Sequence, residues 1–187
     1  MRVLGISGSL RRGSYNLALL RYVGELLEAE GAEFEIYEGL RDIPPFDEDE
    51  EPFSPEAVSR LRQAVQDADA VFFTTPEYNS SIPGALKNAL DWVSRPFGTN
   101  PMRNKPVAVV GASAGMFGAL WAQAELRKVL STMGARVAEG EVAVGHAMDR
   151  FDDDGRLNEP NLAEELREVA VTLLAEVEPA VVEQLAA

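Results

Sequence analysis

The sequence predicts a three-layer α/β sandwich around a five-stranded parallel sheet. Three observations lead there. Five strand-like segments alternate with five helical patterns. Two of those segments, 70–75 and 106–112, are continuously apolar, as strands covered on both faces are. No internal repeat or linker divides the chain, so residues 1–187 read as a single domain.

Taken in order, residues 2–7 form an apolar first strand, and 16–30 an amphipathic helix stopped by Gly31. Residues 33–37 alternate polar and apolar, as a half-exposed edge strand does. A polar, proline-containing segment runs to Phe53. Ser54 then reads as an N-cap, Pro55 as the first helical residue and Glu56 as a first-turn acid, opening a helix to about Ala68. The central strand 70–75 leads to a helix over 83–94, and the strand 106–112 to a long helix over 118–133, ended by Gly134. Residues 136–144 predict a fifth strand bent near Gly140. Asn161 and Glu164 have the spacing of a capping box for the last helix.

Composition narrows the chemistry. The chain has no cysteine, which excludes disulfides, thiolate metal sites, iron–sulfur clusters and a cysteine nucleophile. A net charge of −14 argues against nucleic acid and acidic membranes as partners. The acidic runs 47–51 and 152–154 lack calcium-loop spacing and read as solvated loops. With one histidine, His146, no histidine-based metal site or catalytic triad is expected, and no metal at all. His146 itself reads as structural or exposed. No apolar run approaches membrane-spanning length and no signal-peptide pattern opens the chain, so a cytoplasmic location is expected.

In a sheet with the flavodoxin-like strand order 2-1-3-4-5, ligands bind beyond the carboxyl ends of strands one, three and four. The first of those loops is Gly8-Ser9-Leu10-Arg11-Arg12-Gly13-Ser14-Tyr15-Asn16. A strand, a Gly/Ser/Arg turn and a helix start direct free N–H groups and the positive helix end at one point. Ser9, Ser14 and Asn16 add polar side chains, and Arg11 a fixed cation. The lysine of a P-loop and the glycines of a dinucleotide fingerprint are absent. A phosphomonoester, as on a mononucleotide such as FMN, fits best. The competing reading is an ordinary capped turn.

The second loop, Pro76-Glu77-Tyr78-Asn79-Ser80-Ser81-Ile82, follows a buried strand and suits the edge of a flat heterocycle; alone it also reads as a polar turn. The third, Ser113-Ala114-Gly115-Met116-Phe117-Gly118, is small at its glycines and lets a ring approach closely. Met116 and Phe117 suit a ring face or the core equally. Lys87 and Asp91, four apart on a helix, read as an ion pair rather than as catalysts. Trp92 reads as core or subunit interface.

Gly8-Ser9-Leu10-Arg11 with Ser14 and Asn16, then Pro76-Glu77-Tyr78-Asn79 and the run Pro83-Gly84-Ala85-Leu86-Lys87-Asn88-Ala89-Leu90-Asp91-Trp92, closely resembles the NADPH-dependent FMN reductases. The resemblance extends from Val3 to about Val144. It implies that Ser9, Arg11, Ser14 and Asn16 hold the FMN phosphate, with Tyr15 also among the cofactor-binding residues. It also implies that Pro76, Glu77, Tyr78, Asn79 and Ser81 line the isoalloxazine and ribityl, and that Ser113 and Gly115 touch the ring on its other side.

The activity implied is hydride transfer from NADPH or NADH to bound FMN, with electrons passed on to quinones, free flavin, azo compounds or metal oxyanions such as chromate. The flavin carries that chemistry, so no side chain is required as an acid or base. N–H groups of the 113–118 loop are expected to stabilise charge at the N1/O2 edge of the reduced flavin. Arg12, Arg95 and Arg103 are the candidates for reading a 2′-phosphate. The resemblance also implies a homodimer or homotetramer, paired through the helices 85–92 and 121–133, with small molecules as the other partners. The alternative is a flavodoxin-type electron carrier without its own nicotinamide-linked turnover. A response-regulator receiver is disfavoured, because Ser7, Ser9, Thr75 and Pro76 stand where its acids would be.

Overall fold

The computed structural model describes residues 1–152 and 155–185. Asp153 and Asp154, part of the acidic stretch expected as a solvated loop, lie outside the described residues. The sheet is parallel throughout. It comprises β1 (Arg2–Ser7), β2 (Glu33–Ile36), β3 (Ala70–Thr75), β4 (Pro106–Ala112), β5 (Arg136–Val137) and β6 (Ala143–Val144), in the order β2-β1-β3-β4-β5, with β6 also pairing β4. The helices are α1 (Tyr15–Ala29), α2 (Glu56–Asp67), α3 (Gly84–Val93), α4 (Leu120–Thr132) and α5 (Pro160–Leu185).

Side-chain alternation on the central strands divides the interior into two layers. Leu4, Ile6, Val71, Phe73, Val107 and Val109 pack with α2, α3 and α4. Val3, Ala70, Phe72, Ala108 and Val110 face the other way, onto α1 and α5. All six residues of β3 and all seven of β4 are buried, in keeping with their continuous apolar pattern. β2, at the edge, buries only one face in part. Its Phe34 lies so close to α1 that a Cβ on Gly24 would stand 2.4 Å from Phe34 Cδ1.

The segment expected as one bent fifth strand is two short strands with a break between them. Gly140 has φ +106°, and the Arg127 guanidinium donates to the carbonyls of Ala138 and Gly140 in the break and of Val109 on β4. An arginine thus takes carbonyls that a continuous ladder would have used. Two caps also differ from expectation. α2 is capped by Pro55 in extended backbone, while the Ser54 hydroxyl donates back to the Glu51 carbonyl at 3.1 Å. α5 opens one residue before Asn161: Pro160 is its first residue and the Glu159 carbonyl accepts from Ala163 N–H at 3.1 Å, so Asn161 lies inside the helix.

No helix among the described residues is long and apolar enough to cross a membrane. The acidic run after Phe46 forms an exposed 3-10 turn over Glu48–Phe53, begun by Asp47, whose side chain accepts from Asp49 N–H at 3.0 Å.

Candidate functional site

β1, β3 and β4 end at nearly one level, since Ser7 pairs with Thr74 and Thr74 with Val110. The three expected loops therefore emerge side by side. They are also tied to one another. Gly8 N–H donates to the Thr74 carbonyl at 2.8 Å, and the Thr74 hydroxyl donates to the Asn16 carbonyl at 2.9 Å.

In the first loop Ser14 is the N-cap of α1, its hydroxyl accepting from Leu17 N–H at 3.2 Å. The N–H groups of Tyr15 and Asn16, which the helix cannot satisfy internally, have no partner among the described residues. The Ser9 hydroxyl accepts from Arg11 N–H at 3.4 Å and folds the turn. The Arg11 guanidinium lies 5.1 Å from the Tyr15 ring centroid, and that ring stacks on Phe151 at 5.9 Å. Tyr15 thus positions the cation at the helix mouth.

Asn16 is 3% exposed and its side chain is fully engaged elsewhere: Nδ2 donates to the Ala112 carbonyl at 2.8 Å and Oδ1 accepts from Ala112 N–H at 3.0 Å. Its carboxamide joins the first loop to the end of β4. What Asn16 presents at the cradle is its backbone N–H.

The second loop is a tight hairpin. Tyr78 and Ser81 exchange both backbone hydrogen bonds, at 3.0 and 3.1 Å, around Asn79 and Ser80, which have φ of 54° and 59°. Two consecutive left-handed residues make the turn type that suits asparagine first. Pro76 is buried at its base and Tyr78 is 53% exposed at its rim.

The Glu77 side chain reaches from the hairpin to the start of α4. Its Oε2 accepts from Trp121 N–H at 3.0 Å and Ala122 N–H at 3.1 Å, at the start of α4. The N-cap position there is Ala119, which has no side chain to cap with. A carboxylate from the neighbouring loop supplies the missing acceptor and complements the positive helix end.

The third loop wraps tightly at its end and opens at its middle. Gly118 has φ +56°, and a Cβ there would stand 2.3 Å from the Ala143 carbonyl carbon, so only glycine fits. Ser113 N–H donates to Val144 O at 3.0 Å, and the Gly115 carbonyl accepts from His146 N–H at 3.0 Å. The N–H groups of residues 114–118 have no partner among the described residues. At Gly115 an added Cβ would meet only Ser113 Oγ, at 3.7 Å. Met116 and Phe117 are exposed rather than core, at 65% and 50%, and Phe117 packs edge-on against Trp121.

The similarity to known proteins is extensive. Residues 1–149 match the NADPH-dependent FMN reductase family. The chain belongs to that family. It is 45% identical over 159 residues to an NAD(P)H-dependent FMN reductase of Pseudomonas aeruginosa, covering 84% of each chain. Over 156 residues it is 40% identical to a quinone reductase of Pseudomonas putida, covering 82% of this chain and 83% of that one. Among solved structures, the flavoenzyme NAD(P)H:(acceptor) oxidoreductase FerB of Paracoccus denitrificans superposes with a TM-score of 0.85 at 35% identity, covering 95% of this chain and 97% of that one. An archaeal flavodoxin, at 12% identity and a TM-score of 0.64, shares the fold.

The residues fit the family's FMN. An open helix N-terminus, a positioned guanidinium and the Ser9 hydroxyl suit its phosphate dianion. At the third loop Gly115 carries no side chain to obstruct a flat ring.

Two polar residues important to this site gave no motif in the sequence. Thr74 is buried on β3, and Gln123, fully buried on α4, donates to the Gly118 carbonyl at 3.2 Å. The available signal was a polar residue at an apolar position of the helical pattern Ala119, Ala122, Leu126, Leu130. The polar face of α3 is structural. Lys87 and Asp91 form an ion pair at 2.5 Å, Asn88 bonds Phe46 N–H and the Pro44 carbonyl at 2.7 and 2.8 Å, and Trp92 Nε1 donates to that carbonyl at 2.9 Å. Trp92 is core, at 1% exposure. His146 is exposed.

Proposed function

We propose that the chain is an FMN-dependent NAD(P)H oxidoreductase whose acceptors are quinones and free flavin, with azo compounds and chromate in the same panel of oxidants. The observation that carries this reading is the meeting of an open, arginine-flanked helix mouth with a glycine-opened loop at the head of one sheet. FMN seated there supplies a hydride acceptor for the nicotinamide and a source of electrons for the second substrate.

The chain's own residues bind, orient and polarise. The N–H groups of Tyr15 and Asn16, the Ser9 hydroxyl, the Ser14 backbone and Arg11 hold the phosphate. Pro76, Tyr78, Asn79 and Ser81 line the ribityl and ring on one side, with Glu77 contributing backbone while its carboxylate braces α4. Ser113 and Gly115 would flank the other side, and the free N–H groups of 114–118 would be available to an edge that gains negative charge. No titratable side chain is assigned a proton.

Copies of the chain pair through the apolar rim of this same face. Met116, Phe117, Leu120 and Trp121 are all exposed there. The apolar face of α3, by contrast, is buried within its own chain, so the start of α4 is the surface for a dimer or tetramer. Light scattering that shows a monomer overturns this part. A cytoplasmic location supplies the nicotinamide donor.

The test is direct. The purified protein is expected to be yellow and to release FMN identified by mass. In anaerobic stopped-flow, NADPH or NADH is expected to bleach the flavin without a second protein, and added quinone to restore the colour. A colourless protein at saturating FMN refutes the reading. A yellow one that no nicotinamide bleaches is an electron carrier instead.

A further inference from the structure

We infer that Phe151 is a positioning residue for the flavin phosphate: through Tyr15 it fixes the Arg11 guanidinium at the helix mouth, and so gives the site a preference for FMN over riboflavin. This rests on the FMN-reductase reading above. The three side chains form one continuous stack. The rings of Phe151 and Tyr15 are nearly parallel, 19° apart, with centroids 5.9 Å from each other, within the range of offset stacking. The Arg11 guanidinium carbon lies 5.1 Å from the Tyr15 centroid. Its Nη1 folds back to within 3.6 Å of where a Cβ on Gly13 would stand. That places the charge beside Ser14, the N-cap of α1.

The stack matters because nothing else holds this cation. Arg60, Arg136, Arg150 and Arg167 are each tied to a carboxylate. The Arg11 guanidinium makes no ion pair or hydrogen bond among the described residues, and the side chain is exposed. A free arginine samples many rotamers, and ordering it on binding costs affinity. A ring beneath the guanidinium removes most of that cost before the ligand arrives.

Phe151 is itself firmly placed. It forms an antiparallel bridge with Leu157, and both side chains pack against the core layer under α1 and α5. Asn158 N–H donates to the Arg150 carbonyl at 3.0 Å, and Asp152 N–H to the Arg156 carbonyl at 2.9 Å. Arg150 pairs with Glu159, and its Nε donates to the Gly145 carbonyl at 3.4 Å. Just upstream, His146 N–H and Ala147 N–H donate to the carbonyls of Gly115 and Ser113, both at 3.0 Å. One segment thus leaves the third loop and supports the cation of the first. Phe151 stands outside residues 1–149, the stretch that matches the family. Riboflavin has no phosphate for Arg11 to meet, so only the affinity for FMN should depend on Phe151.

The full chain, stripped of flavin, is titrated with FMN and with riboflavin by flavin fluorescence, in the parent, Phe151→Leu and Phe151→Tyr, with thermal melts to check folding. Phe151→Leu keeps apolar bulk beside Leu157 but removes the ring. Its FMN affinity is expected to fall about three- to tenfold, the effect of leaving one long side chain to be ordered on binding, with riboflavin affinity unchanged. Phe151→Tyr is expected to keep the parent preference. In an Arg11→Ala background Phe151→Leu is expected to have no further effect. Before any flavin is added, NMR relaxation at Arg11 Nε is expected to show greater mobility in Phe151→Leu than in the parent. Tyr15→Leu breaks the same stack at its middle and is expected to give the same fall, which keeps the test open should Phe151→Leu not fold. An unchanged ratio of FMN to riboflavin affinity in the folded variant, or equal loss of both flavins, overturns the inference. So does a loss that persists without Arg11, or an Arg11 side chain equally ordered in both proteins. A parent that binds neither flavin refutes the FMN reading and the inference with it, and is recognised before any variant is compared.

Discussion

The carboxamide of Asn16 bonds both backbone groups of Ala112, donating to the carbonyl at 2.8 Å and accepting from the N–H at 3.0 Å. Ninety-six residues of chain separate the pair. The first turn of α1 is thereby fastened to the end of β4, from which the third loop departs, so two walls of the proposed flavin site share one joint.

Asn16→Ala leaves the buried Ala112 carbonyl without the Nδ2 donor that now meets it. A loss of about 1–3 kcal/mol is expected, the range for one unsatisfied buried group. Urea denaturation of the apoprotein measures it, with an unchanged slope as the sign that only stability moved. A loss under about 1 kcal/mol contradicts the role assigned to this bond.

Glu77→Ala removes the cap of α4. The expected cost is about 1 kcal/mol, together with faster amide exchange at Trp121 and Ala122 and higher mobility of the 113–118 loop. Glu77→Gln keeps an acceptor and is expected to recover most of the protection. Unaltered exchange at those two amides in the alanine variant rules the cap out.

Arg11→Ala takes away the cation at the helix mouth. FMN affinity is expected to fall by about 1.5–3 kcal/mol, the range of a charge-assisted hydrogen bond, or about ten- to a hundredfold in Kd. Parent affinity also weakens with added salt more steeply than that of the variant. Fluorescence titration of the apoprotein reads both quantities.

Tyr37 gives the fold an alkaline limit. Burial raises its pKa above the ordinary 10.0, Arg60 works against that shift and Asp42 adds to it. The folded state therefore keeps a proton that the unfolded state releases. Tyr37 contributes stability in full below pH 10, and loses it as pH rises through the folded value. The difference in unfolding free energy between the parent and Tyr37→Phe is expected to be flat from pH 7 to about 9.5 and to shift toward the variant above that. A difference that stays constant to pH 11 contradicts the assignment, pH 11 lying well above the ordinary value.

Much of this protein could be read along the chain. The apolar runs of β3 and β4, the Gly31 stop and the Ser14-to-Asn16 helix start are local signals, and they hold in the fold. The caps expected at Ser54 and Asn161 fall one or two residues away, because an N-cap is decided by which residue stays outside the helical backbone, and a proline takes or displaces that position in both cases. The pattern over 136–144 suits one bent strand, and nothing nearby in sequence announces Arg127, which takes the carbonyls of the break.

Within the site, the division follows the range of the forces. Periodicity, turn residues and the Gly-Ser-Arg cluster act within one element, so patterning alone dictated the sheet, the three loops and the cradle. The partners of Asn16 and Glu77 were set by folding alone: both are polar side chains beside a ligand loop, and each spends its hydrogen bonds on backbone 96 and 44 to 45 residues away. A side chain's hydrogen-bonding capacity is written in its identity, but the donor or acceptor that meets it depends on which distant backbone the packed sheet leaves unpaired.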